Sequence, residues 1–114
     1  MELRVGTPDR EKLKTLLAEL REGLKELYGR RLTRVLLYGS QARGDAESGS
    51  DIDVLIVLHG QVNPGDEIER TSELVAGLSL KYAEDISRQF MSEDAYRQGA
   101  SPLALNVRRE GVPV

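Results

Sequence analysis

The stretch "LLYGSQARGDAESGSDIDVLIVL", residues 36–58, holds two apolar runs of strand length with a short polar segment between them. Gly39 and Ser40 follow the first run directly, and Asp51 and Asp53 stand at the head of the second, where a buried strand has no use for charge. "SQAR" has room for one or two helical turns, and "GDAESGS" is a polar loop with two glycines. The joint between the two strands is therefore too short for the crossover helix, a dozen or more residues with its loops, that a parallel pair needs. The two strands are expected to be antiparallel.

Working outward, residues 7–28 carry Leu13, Leu16, Leu17, Leu20, Leu24 and Leu27 at three- and four-residue spacing, the stripe of an amphipathic helix. Thr7 suits its cap, Pro8 its first turn and Gly29 its stop. "HGQVNPGD" after the second strand is punctuated as a loop. A second long helix is expected over about residues 66–81, with Ile68, Leu74, Val75, Leu78 and Leu80 as its apolar positions. "EDISRQFM" reads as a third strand, Ser92 as the cap of a short helix, and Ser101-Pro102 as the start of another reaching Glu110. This order gives an α/β fold, a small mixed β-sheet flanked by helices, in one domain over residues 1–114. A mixed sheet counts against a dinucleotide-binding fold.

Composition narrows the function. The chain has 114 residues and a net charge of −3, which argues against nucleic acid as a direct ligand. It has no cysteine, hence no disulfide framework and no thiolate nucleophile, and its single His59 has no partner at ligand spacing. The apolar runs are too short to span a bilayer and no leader precedes them, so a cytoplasmic location without membrane attachment is expected. Lys and Arg crowd residues 10–34, the pattern of a solvated helix face.

The chemistry concentrates at the strand heads. Alternation puts Asp51, Asp53, Leu55 and Val57 on one face and Ile52, Val54, Ile56 and Leu58 on the other. Two strand rises separate the Cα atoms of the two aspartates by about 6.6 Å. Like charges pointing the same way at that spacing repel unless a cation lies between them. Mg²⁺, a hard ion held by one or two carboxylates and substrate phosphates, meets the need. Gly39 and Ser40, at the start of a helical turn, offer backbone N–H groups without partners and a hydroxyl to a phosphate. A two-metal phosphoryl-transfer site wants a further carboxylate. Asp85 supplies it, opposite Ile86 and Phe90 on the third strand, whereas its rival Glu84 falls on the Ile86 face. Asp-x-Asp alone is better explained by an exposed strand edge. The Gly-Ser pair, with residues 41–50 between it and Asp51, decides for a nucleotide site.

"GSQARGDAESGSDID" resembles the nucleotidyltransferase motif of the DNA polymerase β superfamily, and the chain looks most like its minimal nucleotidyltransferases. The resemblance extends loosely to "EDIS" and to "NVRREGV". It implies the polymerase β-like palm fold and transfer of AMP from ATP to a hydroxyl, with two Mg²⁺ ions. Gly39 and Ser40 would hold the triphosphate; Asp51, Asp53 and Asp85 would be the metal ligands and catalytic residues, with Asp85 also helping to deprotonate the acceptor. Arg43 matches the family's arginine, as a phosphate partner or as a brace paired with Asp45. Tyr38 either packs against the sheet edge or lines the pocket. Many minimal nucleotidyltransferases pair with a helical HEPN protein as the antitoxin of a toxin–antitoxin system, so a HEPN partner or a second copy of this chain is expected to complete the open cleft. Two alternatives remain: a binding module that neutralises a partner by occlusion, and a nucleotidyltransferase for a small molecule. Against the second, only residues 93–114 follow the third strand, too few for a helical acceptor domain.

Overall fold

The computed structural model describes residues 10–47 and 49–114. Helix α1 (Arg10–Tyr28) passes through a 3₁₀ turn (Gly29–Arg31) into strand β1 (Leu32–Tyr38), and the short α2 (Gly39–Arg43) leads by the polar loop to β2 (Ile52–Leu58). Then come α3 (Pro64–Tyr82), β3 (Ile86–Ser92), α4 (Glu93–Gln98), α5 (Pro102–Glu110) and a two-residue β4 (Val112–Pro113). Thr7 and Pro8, expected at the start of α1, lie outside the described residues.

The sheet runs in the order β3-β2-β1-β4. β1 pairs with β2 antiparallel, as the short joint required, and β2 pairs with β3 parallel across α3. The sheet is therefore mixed. β4 was not foreseen: it pairs antiparallel with β1, through Leu36 to Pro113 and Leu37 to Val112. An outer strand is where a sheet tolerates a proline, because no further strand needs its missing N–H.

Both sheet faces are covered. Ile52, Val54, Ile56 and Leu58 join Val35, Leu37 and Phe90 under the leucine stripe of α1 and under Val75 and Leu78 of α3. Leu55 and Val57, on the face that begins with the aspartates, pack with Leu36 against Tyr96 of α4 and Val107 of α5. Three expected core positions are exposed instead: Leu27, Ile68 and Leu80. Leu27 and Ile68 lie toward helix ends, and Leu80, two residues past the buried Leu78, falls on the other side of α3. α3 begins earlier than expected, with Asn63 accepting from the Asp66 N–H and Pro64 in the first turn. Ser92 and Ser101 cap α4 and α5 as their positions suggested, accepting from Ala95 and Ala104. No helix among the described residues is long and apolar enough to cross a membrane.

Candidate active site

The site gathers where β1 ends and where β2 and β3 begin. Antiparallel pairing places Tyr38, the last residue of β1, opposite Asp53, and parallel pairing places Ser87 on the other side of Asp53. Asp53 thus occupies the middle of the sheet's edge. Asp51 and Asp85 each stand one residue ahead of the paired Ile52 and Ile86, and the Ile52 N–H donates to the Asp85 carbonyl at 2.9 Å. The parallel register therefore brings Asp85 to the same end of the sheet as the Asp-x-Asp pair.

Gly39 opens α2 with φ +75°, in the left-handed region that favours glycine. Its neighbour explains the residue further: a Cβ here would stand 2.5 Å from Asp53 Oδ2. The strand that carries the carboxylates and the loop expected to carry the phosphate are thus in direct contact. Gly44 leaves α2 at φ +83°, and the N–H groups of Gly44 and Asp45 both return to the Ser40 carbonyl, which closes the turn.

The charge balance is uneven. Burial raises the Asp53 carboxyl above its ordinary pKa, and the charge of Asp51 raises it further, while Arg43 pulls the other way. This is the repulsion the same-face spacing implied. Asp51 and Asp53 therefore suit a divalent cation, which would relieve the repulsion. Among the described residues, no three of His, Cys, Asp and Glu are grouped tightly enough to hold one metal ion, so the expected three-carboxylate metal set of Asp51, Asp53 and Asp85 is not assembled as one site. Glu84, the rival to Asp85, is engaged elsewhere, in an ion pair with Lys12 of α1 at 2.9 Å.

One feature departs from the sequence reading: the contacts of Glu110. The backbone N–H groups at the start of α2 were expected to lack partners, but the Gly39 N–H donates to Glu110 Oε2 at 3.3 Å. The end of α5 reaches this corner because β4 pulls the chain back along β1. Arg43 braces the loop through Asp45, Nε to Oδ2 at 3.2 Å, and also reaches Glu110 Oε2 at 3.4 Å. Sequence reasoning missed Glu110. The only signal was the "NVRREGV" ending, with no spacing rule to tie it to Gly39. Tyr38 is half-buried against the α4–α5 side of the sheet, and burial together with the charge of Asp53 raises its pKa. His59 is exposed, as expected for a loop residue.

A family model described as the nucleotidyltransferase domain matches residues 17–96, the span from the middle of α1 to α4 that contains Tyr38, Gly39, Ser40, Arg43, Asp51, Asp53 and Asp85 but not Glu110. The chain belongs to the nucleotidyltransferase domain family. It is 35% identical over 96 residues to a protein of Methanocaldococcus jannaschii named "Putative protein adenylyltransferase MJ0604", covering 83% of this chain and 90% of that relative. A solved structure described as a "putative minimal nucleotidyltransferase" superposes with TM-score 0.55 and 27% identity, covering 90% of this chain and 95% of that one. A toxin–antitoxin solved with AMP-PNP superposes with TM-score 0.56 over 93% of this chain and 72% of that chain, and at 19% identity this likeness is one of fold. The fold expected from the motif, a mixed sheet flanked by helices, is the fold of these nucleotidyltransferases.

Proposed function

We propose that this nucleotidyltransferase is a magnesium-dependent protein adenylyltransferase of the cytoplasm, which moves AMP from ATP to a hydroxyl of a small helical protein of the HEPN type. It would thereby act as the antitoxin of a pair. One observation carries the reading: Asp53, its carboxyl raised by burial and by Asp51, lies against the bare Cα of Gly39. A carboxylate of an anionic pair set against a loop with no side chain fits a metal–triphosphate complex better than it fits any structural need. The adenylyltransferase name of the 35%-identical relative supports the reaction type, and the toxin–antitoxin of similar fold supports the partner class.

Asp51 and Asp53 would hold the magnesium, with Asp85 at the edge of the same set. When bound, the metal supplies positive charge to the attacking and leaving oxygens of an in-line displacement. The chain's own residues do the rest. Gly39 leaves the loop open to close approach, and Ser40 donates its hydroxyl to a phosphate oxygen. Arg43, on the same turn, offers its guanidinium to the negative tail of the nucleotide. Asp85 accepts the proton of the acceptor hydroxyl as its oxygen bonds to the α-phosphorus. The bond from that phosphorus to the bridging oxygen breaks, and pyrophosphate departs. Positioning and electrostatics carry the rate. The partner or a second copy would form the remaining wall of the cleft.

Incubation with labelled ATP, Mg²⁺ and a HEPN-type helical protein tests the reading. Label retained on the partner, and lost with Asp53→Ala, is the expected result. A complex that forms without label and survives Asp53→Ala would replace catalysis with occlusion.

A further inference from the structure

The last residue of α5 is in an electrostatically poor place for an acid. Glu110 sits at the helix C-terminus, the negative end of the dipole, where Lys and Arg are favoured and where Arg108 and Arg109 precede it. What its carboxylate gains there is the Gly39 N–H at 3.3 Å and the Arg43 guanidinium at 3.4 Å. These are two of the groups that the proposed reaction assigns to the nucleotide's phosphates. We propose that Glu110 is a built-in anion occupying the phosphate corner of the site, which an incoming triphosphate must displace.

This inference rests on the nucleotidyltransferase reading and adds regulation to the same site. Three observations give it substance. The backbone behind Glu110 has little freedom: a Cβ on Gly111 would stand 2.5 Å from the Val107 carbonyl, Val107 is buried, and β4 is paired to β1. Displacement therefore involves the side chain alone. That side chain is about one-third exposed, 31%, so it can swing into water. Finally, Arg43 is shared between Asp45 and Glu110 while Asp53 lies close by, so this corner already carries more negative than positive charge. A phosphate entering with Glu110 in place would meet a second anion at hydrogen-bonding distance of the same donors. The consequence is selection by charge: a triphosphate with its metal competes for the corner, whereas a monophosphate or inorganic phosphate competes poorly.

The test compares wild type with Glu110→Gln, which keeps a carbonyl oxygen for the Gly39 N–H and removes the charge. Titration with ATP and Mg²⁺ is expected to give a dissociation constant about five- to tenfold tighter for Glu110→Gln, on the order expected for one nearby like charge. Its melting temperature should stay within a few degrees of wild type. AMP and inorganic phosphate should gain at least as much. Equal or weaker ATP binding by Glu110→Gln would make Glu110 a brace and overturn the proposal, while binding by wild type would leave the nucleotidyltransferase reading intact. Absence of binding by both proteins would sink both readings; absence in wild type alone would mean that the plug is complete. Should the variant fold poorly, carbon NMR of the Glu110 carboxyl in wild type decides. Its resonance is expected to move on addition of ATP and Mg²⁺, and an unmoved resonance under saturating ATP overturns displacement.

Discussion

Asp53 Oδ2 stands 2.5 Å from the point where a Cβ on Gly39 would lie. Two residues from separate parts of the sequence thus share one small volume, and it can hold either a methyl group or the carboxylate. Gly39→Ala tests this directly. The left-handed φ of +75° adds backbone strain of about 1–2 kcal/mol for any other residue, and the clash adds an overpacking cost of about 1–3 kcal/mol. Thermal unfolding should show the loss of stability. Because the methyl pushes on the carboxylate itself, nucleotidyl transfer should fall about a hundredfold or more. Full activity in Gly39→Ala would show that Asp53 is displaced harmlessly.

How much of this was legible beforehand depends on the range of the interactions. The antiparallel pairing of β1 and β2 followed from a local count of residues, and the faces of β2 followed from alternation; both hold. The Gly-Ser and Asp-x-Asp segments are near in sequence, so their meeting was readable too. Glu110 was not, because it joins Gly39 across most of the chain and through a two-residue strand too short to show any period. Leu27 and Ile68 were misplaced for a related reason, and Leu80 because it stands two residues past Leu78 and does not share its face. Helical spacing tells which residues share a face, but only the partner helix tells how wide a stripe it covers.

Far from the site, the Tyr28 hydroxyl donates to Glu67 Oε1 at 2.8 Å, and Arg70 Nε reaches the same oxygen at 3.3 Å. Glu67 is buried, so its carboxylate depends on these donors. Burial, reinforced by hydrogen bonding to Glu67, pushes the Tyr28 phenol well above its ordinary pKa, and it stays a donor throughout the working pH range. Tyr28→Phe is expected to cost about 1–3 kcal/mol in denaturant unfolding. Tyr28→Phe with Glu67→Met should recover part of that loss, because both polar partners are then gone. Tyr28 lies at the entry to β1, at the opposite end from Tyr38, so the ATP affinity of both folded variants should match wild type.

Acid stability offers a third check, at the junction of β1 and α4. Arg34 grips Glu93 with two bonds, Nε to Oε1 at 3.0 Å and Nη2 to Oε2 at 2.9 Å. This pairing holds the Glu93 carboxyl below the usual value of 4.5, with Thr33 adding a smaller pull. A depressed folded pKa means that the stabilisation is fully present above the unfolded value and disappears as pH falls through the folded one. Glu93→Gln should therefore be less stable than wild type at pH 7, by about 1 kcal/mol for a partly exposed pair. The gap should narrow as pH drops below 4.5 and close under the folded pKa. A gap that stays constant down to pH 2 would mean that packing, and not charge, sets the difference.

Gln41 separates stability from function. It is buried in α2, its Nε2 reaches the Ser50 carbonyl at 3.5 Å, and its Oε1 has no hydrogen-bond partner among the described residues. The bond is long and the orphaned acceptor is unfavourable, so the net contribution to stability is small. Gln41→Met, of similar volume, is expected to change unfolding free energy by less than about 1 kcal/mol. Ser50, however, immediately precedes Asp51, and the Gln41 amide is what ties it to the loop carrying Gly39 and Ser40. Asp53 is held to the loop by the pairing of β1 and β2, but Asp51, ahead of the paired strand, loses part of its positioning without that tie, and kcat should fall about tenfold. Unchanged kcat at unchanged stability would show that the strand alone positions Asp51, and that Gln41 only fills space beneath the turn.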